Sequence, residues 1–330
     1  MNTDQKIIML AASFLAAVLP ASASLTDGLA AYWTFDTGSV AVGADGIADT
    51  KGNSNGTLSG ATGNVSINQP GIAGQSVTLD NSGYTAGGTA AYVDLGTAAG
   101  AMSTVDQSFT VSIWFKATSN TTTLQTLLNF GNNASDVQGI GFFAEKDDIE
   151  IRATYKVGTS LWTGTRRIGL TLPDVLTTGE WHHLTAVFDF EKHVVIGYFD
   201  GISSGDTRDG GTGAGETLSN GWISGAMGGQ TNRIADITTT GIVMTDSSAK
   251  TLQLGVNSLL TQPFPFSGAL DEVAVWNRAL SAAEVALLYQ GQKDGLGIGA
   301  IPEPSATALT TGSAAVLVAA LLAARARYRK

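Results

Sequence analysis

The sequence predicts an all-β fold: a two-sheet antiparallel sandwich of the jelly-roll kind, with one short helix near its C-terminal end. Three observations predict it. Charged residues are only 14% of the 330 residues while glycine reaches 41, a balance that suits short strands joined by many turns. Apolar residues alternate with period two in run after run, and turn residues fill the gaps. The stretch Phe264–Gln290 changes period once. Its first half reads as a buried strand, with Leu270, Ala274 and Trp276 on one side and Val273 and Val275 on the other. Its second half reads as a helix: Ser281 and Glu284 form a capping box, Val285, Leu288 and Tyr289 make an apolar face, and Gly291 stands where a left-handed C-cap would.

Leu29–Asp36 opens the body of the chain, with Leu29, Ala31, Trp33 and Phe35 on one face. A loop rich in Gly, Asp and Asn follows from Thr37 to Gly63, where Gly52 and Gly56 permit positive φ. Short strands are expected at Gln75–Asp80 and Ala91–Leu95. Ser108–Lys116 is a clear strand, with Phe109, Val111, Ile113 and Phe115 facing one way. Further strands are expected near Leu124–Phe130, Gly139–Glu145, Ile149–Lys156, Glu180–Phe190 and His193–Asp200. Ile202–Lys250 is rich in Gly and Thr and reads as an elaborated loop with a hairpin or two. One domain accounts for all of these strands. Cysteine is absent, so the core carries stability without disulfides.

Several of these runs share their spacing with one family. Gly268, Asp271, Glu272, Val273 and Asn277–Glu284 fit a Gly-x-x-Asp-Glu-Val strand followed by an Asn-Arg-Ala-Leu-Ser-x-x-Glu helix start. Asp49–Leu58, the Phe109–Lys116 strand, Trp181-His182-His183-Leu184 and Tyr198-Phe199-Asp200-Gly201 fit its other conserved stretches. The sequence thus resembles the laminin G-like, concanavalin A-like domains of bacterial secreted proteins over about Leu29–Gln290. The resemblance implies the concanavalin A-like sandwich, and it implies that the first and last strands meet beside the Asp49–Asn55 loop.

Both ends read as address labels. Lys6, the apolar run Ile7–Leu19 and Ala21-Ser22-Ala23 predict a signal peptide over residues 1–23, removed by signal peptidase so that the mature chain begins near Ser24. Ala306–Ala324 is apolar and long enough to span a bilayer, and Arg325, Arg327, Arg329 and Lys330 follow it. Pro302, Glu303 and Pro304 precede this transmembrane segment. The order of motif, span and basic end over residues 301–330 resembles the PEP-CTERM sorting signal, with Ile301 where that family usually has Val. This resemblance implies an exosortase as partner, membrane contact through the C-terminal segment before processing, and delivery to the cell surface or outside a Gram-negative-type bacterium. The sandwich then occupies residues 24–300. Residues 24–324 hold 13 Lys and Arg against 27 Asp and Glu, a formal net of −14, which argues against nucleic acid as partner.

The chemistry-bearing candidates are few. Glu145-Lys146-Asp147-Asp148-Ile149-Glu150 fits Glu-x-Asp-x-x-Glu, the catalytic pattern of family 16 glycoside hydrolases, where two carboxyl groups about 5 Å apart flank the scissile bond. Here Lys146-Asp147-Asp148 breaks two apolar runs, so a hairpin turn is expected, aiming these carboxylates into solvent at a sheet edge. His182 and His183 alternate to opposite faces and read as structural, beside His193. Trp162, Arg166 and Arg167 are candidates for ligand binding, since an indole stacks on a sugar ring and guanidinium groups bridge hydroxyls or acids. Asp36, Asp49, Asn53 and Asp271 are candidates for a structural calcium site, because calcium takes six to eight oxygen ligands; an ordinary Asx-rich turn is the alternative. The expected function is a secreted, surface-sorted, non-catalytic recognition module that binds glycan or extracellular matrix. A glycoside hydrolase and a purely structural surface or matrix protein are the alternatives.

Overall fold

A computed structural model describes residues 23–36, 40–41, 46–52, 54–96, 108–118, 123–132, 138–157, 160–177, 179–189, 191–192, 194–205, 216–217, 220–226, 251–257 and 263–303. The chain divides into two units. One is Thr26–Ile301, and the other joins the ends, Met1–Leu25 with Pro302–Lys330. The apolar runs Ile7–Leu19 and Ala306–Ala324, and with them Pro304, lie outside the described residues. Among the described residues no helix is long and apolar enough to cross a membrane.

The larger unit is a sandwich of two antiparallel sheets. The first runs β15 (Ile202–Ser203), β14 (Val194–Phe199), β13 (His182–Asp189), β8 (Phe109–Ala117), β19 (Gly268–Trp276), β6 (Gln75–Leu79), β5 (Val65–Pro70), with β1 (Leu29–Trp33) also pairing with β19. The second runs β16 (Glu216–Thr217), β17 (Trp222–Ala226), β12 (Ser160–Thr171), β11 (Asp148–Val157), β10 (Gln138–Glu145), β9 (Gln125–Asn132), β18 (Thr251–Leu254), β7 (Ala91–Asp94), β4 (Gly56–Gly60), β3 (Gly46–Ile47), β2 (Val40–Ala41). Helix α1 (Ala282–Lys293) follows β19.

The core lies between the sheets. Phe109, Val111, Ile113 and Phe115 of β8 enter it from the first sheet; Leu128, Phe130, Ile140, Phe142, Ile149 and Ile151 enter it from the second. Each large apolar side chain so buried stabilises the fold by roughly 1.5–3 kcal/mol relative to exposure. The period-two pattern of these strands is what makes one face of each sheet continuous.

Three local expectations change. Leu270 joins Val273 and Val275 in the core instead of opposing them. The reason is a bulge between Asp271 and Ala274, where Glu272 takes a left-handed φ of 50° and resets the alternation. Gly291 is not the C-cap: the helix runs on to Lys293 and Asp294 caps it. Gly291 is there because an added Cβ would run into the Ile301 side chain, so the helix and the segment after it pack backbone to side chain. The twelve-residue strand β12 was not expected from the sequence; Ser160–Thr171 mixes Gly, Thr and Arg with few apolar residues, and its partners β11 and β17 define it.

Candidate functional site

Because neighbouring strands are in register, the outer face of the larger sheet can be followed residue by residue. Thr57 of β4 stands opposite Asp94 of β7, Asp94 opposite Gln253 of β18, and Gln253 opposite Asn129 of β9. Asn129 stands opposite Gly141 of β10, and Gly141 opposite Arg152 of β11. These positions alternate with core residues such as Val93, Leu254, Leu128 and Phe142, so the polar side chains share the face away from the core. Six strands at about 4.8 Å spacing carry the row over roughly 24 Å.

The centre of the row is a floor and its sides are accessible. Asn129 and Gln253 are 8% and 4% exposed, whereas Thr57 is exposed and Asp94 and Arg152 are half-buried. Tyr92 lies two residues before Asp94, on the same face and half-buried. Beside the row, the Phe143 ring covers Gly141, where an added Cβ would strike it, and the Arg152 guanidinium sits 4.6 Å above the Phe143 ring centre. Arg152 Nε donates to Glu150 Oε2 at 2.6 Å, and Arg152 Nη2 contacts the same oxygen. The face therefore offers amides, a carboxylate, a phenol and a guanidinium, the groups that hydrogen-bond hydroxyls or stack on a ring.

The hairpin expected at Lys146-Asp147-Asp148 is present, one residue tighter: Lys146 and Asp147 make the turn, and Asp148 already belongs to β11 and pairs with Glu145. The expected exposure at a sheet edge is not. β10 and β11 lie inside the sheet, and Glu150 is 2% exposed and bound to Arg152. Glu145, Asp148 and Glu150 fall on the outer face by alternation, while Asp147 sits in the turn and accepts from the Asp174 amide at 2.8 Å. Of the predicted binding residues, Arg167 stands opposite Arg152 and continues the row's register, Arg166 stands opposite Ala153, and Trp162 lies further along β12. The side chains of all three lie outside the described residues.

The predicted calcium ligands fall in two places. Asp49 accepts from four backbone amides: Tyr32 (2.9 Å), Lys51 (3.0 Å) and Gly52 (2.8 Å) on Oδ1, and Ser54 (3.2 Å) on Oδ2. Asn53 lies outside the described residues. Asp36 and Asp271 hold the β5–β6 turn between them: Gln75 N donates to Asp36 Oδ1 at 2.8 Å, and Ile72 N to Asp271 Oδ2 at 2.9 Å. Gly71 and Gly74 let those carboxylates come close, since a Cβ at either would collide with one of them. Among the described residues no group of three His, Cys, Asp or Glu side chains is placed to hold a metal ion.

A buried polar chain runs from the same bulge towards α1. Tyr32 Oη donates to Glu272 Oε2, Gln292 Nε2 donates to the same oxygen at 2.7 Å, and Trp114 Nε1 donates to Gln292 Oε1 at 2.7 Å. Burial pushes Glu272 up to about 8; burial, then the neighbouring Glu272 charge, pushes Asp271 up to about 9. Burial also raises the Tyr32 phenol. His183 is fully buried against Trp114 and Tyr289, and burial lowers it to about 3, so it is neutral. His182 Nδ1 meets Asp200 Oδ2 at 2.8 Å on the core face. The two rings lie on opposite faces of β13, as their alternation implied; His193 lies outside the described residues.

Residues 87–234 match a laminin G family model described as the concanavalin A-like lectin/glucanases superfamily. No curated protein sequence matches the chain. Among solved structures, the receptor binding domain of botulinum neurotoxin D is similar, at 14% identity and TM-score 0.51, over 82% of this chain and 54% of that one. The binding domain of botulinum neurotoxin DC, in complex with rat synaptotagmin II, matches at 12% identity and TM-score 0.50, over 82% of this chain and 52% of that one. Domain 4 of a GH43 extracellular arabinanase from Geobacillus stearothermophilus, in complex with arabinotriose, has 21% identity and TM-score 0.47, over 79% of this chain and 98% of that one. The chain spans about half the length of the neurotoxin domains it matches. At these identities the likeness is one of fold, and the fold is concanavalin A-like.

Proposed function

We propose that the protein is a non-catalytic recognition module that binds a glycan or an extracellular matrix polymer across the outer face of its larger sheet. One observation carries this reading: the in-register row Thr57, Asp94, Gln253, Asn129 and Arg152, with Tyr92 beside it. A row perpendicular to the strands gives an extended chain a repeated set of hydrogen-bond partners, and a tyrosine at its accessible side gives a sugar ring a face to stack on. The matching family model and the neurotoxin binding domains support a binding role for the fold without naming the ligand. Export by signal peptidase and surface sorting through Pro302-Glu303-Pro304 belong to the same proposal.

A second reading has its own observation: Glu145 and Glu150, the first and last carboxylates of the Glu-x-Asp-x-x-Glu pattern, share the outer face, although Asp147, its middle one, sits in the turn. Against it, Glu150 is held by Arg152, which suits a structural ion pair. A glycan array on the exported protein, with Tyr92→Ala as control, tests the binding reading. Binding weakened about tenfold by the substitution supports it, which is about 1.4 kcal/mol and within the roughly 0.5–1.5 kcal/mol of an aromatic stack. Binding indifferent to Tyr92 and Asp94 places the ligand elsewhere. Calcium stands as a separate proposal, resting on the oxygen-rich Asp49–Asn55 loop and the family resemblance. A thermal melt in calcium and in chelator tests it: a cation at 100 times its Kd adds about 2.7 kcal/mol, and an unchanged melting temperature removes it.

A further inference from the structure

Ser24 and Glu303 are 279 residues apart in sequence and touch. Ser24 Oγ donates to Glu303 Oε1 at 2.8 Å, and Leu25 N donates to the same oxygen at 3.0 Å. Both donors come from the residues at which leader removal after Ala23 would create a new chain end. The acceptor is the only charged residue between Asp294 and Arg325, and prolines flank it on both sides. Proline offers no amide hydrogen, so the carboxylate, the one charged group of this stretch, has no neighbouring proline donor to share it.

Leader removal changes the chemistry at this place. In the precursor the nitrogen of residue 24 is a neutral amide. After cleavage it is an ammonium, attached to the same Cα as the side chain that already reaches Glu303. Hydrolysis of the 23–24 peptide bond adds water across it, leaving a carboxylate on the leader and the ammonium on the domain. A charge-assisted hydrogen bond to a carboxylate is shorter and about twice as strong as a neutral one.

We propose that Glu303 is the binding site for the α-ammonium group that leader removal creates, so that the two ends of the exported chain close as an ion pair. This rests on the leader reading. It gives the acid of the Pro-Glu-Pro motif a ligand within its own chain, an α-amine. Any processing enzyme that recognises the same carboxylate then competes with the mature N-terminus for it.

The test uses the exported, leader-processed protein and its Glu303→Gln variant. Intact-mass and N-terminal measurements establish both ends first. A mature chain that begins elsewhere than residue 24 contradicts the leader reading, and one that ends before residue 303 overturns the closure. The α-amine is then labelled by reductive methylation across pH. From an ordinary value of about 7.7–8.0, the wild-type amine should titrate about half a unit to one unit higher than in the variant, so labelling at pH 7 is roughly three- to tenfold slower. Equal titration in the two proteins overturns the proposal. If the variant does not fold, the wild-type titration in rising salt decides instead. Screening should bring the amine back towards its ordinary value, and a salt-independent titration overturns the closure.

Discussion

Glu150 and Arg152 show how a single side chain changes meaning with its strand. On the sequence, Glu150 is the last carboxylate of the Glu-x-Asp-x-x-Glu pattern, in the run that follows the Lys146-Asp147-Asp148 break, and its replacement by glutamine is expected to be silent. In the folded sheet it is 2% exposed and shares its carboxylate with Arg152, whose guanidinium also covers Phe143. Arg152→Ala should therefore destabilise by on the order of 2 kcal/mol, because it takes a cation from a buried carboxylate. Glu145→Gln, at the half-buried end of the hairpin, should change stability by less than about 0.5 kcal/mol. Urea midpoints of the two variants check this; equal effects would mean that the buried pair is not distinct from the hairpin end. The period of β11 was legible, since Ile149 and Ile151 point to one face. That Glu150 lies in the middle of a sheet was not, because burial on the outer face depends on β9, β10 and β12 being assembled beside it.

At the scale of elements, the helix start was fully legible and its end was not. Ser281 accepts from Glu284 N at 3.3 Å while Glu284 Oε2 accepts from Ser281 N at 2.8 Å, the capping box that the spacing predicts. Glu284 is further held by Arg278 at 2.6 Å. Ser281→Ala should cost about 1 kcal/mol, seen as a lowered melting temperature with an unchanged ligand affinity. A loss of affinity with unchanged stability would place the helix in the binding site instead. The helix end was misread because Gly291 answers to a tertiary contact with Ile301, which no local rule encodes. The polar row has the same character. Asn129 stands between Leu128 and Phe130, and Gln253 between Leu252 and Leu254, so each is a single polar residue between apolar ones. Register alone places them opposite one another, and register between strands 124 residues apart in sequence is set by the fold, not by either segment.

For the whole molecule, the acid pair at the β19 bulge makes stability depend on pH. Asp271 and Glu272 are pushed up to about 9 and about 8 in the folded state, from ordinary carboxylate values in the unfolded chain. The folded protein thus holds protons that the unfolded chain has released. The stability this contributes is fully present below about pH 4 and is lost as pH rises through 8 and 9. His183, lowered to about 3, acts oppositely: its contribution is lost as pH falls below the usual histidine range. Between pH 6.5 and 9 the acid pair leads among the described groups with shifted titration, so the melting temperature should fall over this range, and Glu272→Gln should flatten that fall. A melting temperature that rises over this range would show that the pair is ionised in the folded protein, as a bound cation would require.

The central claim is that this concanavalin A-like sandwich recognises an extended polymer on the outer face of its larger sheet without cleaving it. The most direct measurement follows the exported protein with a bound polysaccharide from a glycan array, recording affinity and release of reducing ends in the same sample. The account predicts saturable binding, weakened about tenfold by Tyr92→Ala, with no reducing ends above the protein-free control. Reducing ends that appear with wild-type protein and vanish with Glu150→Gln would contradict it and make the outer face a hydrolase site.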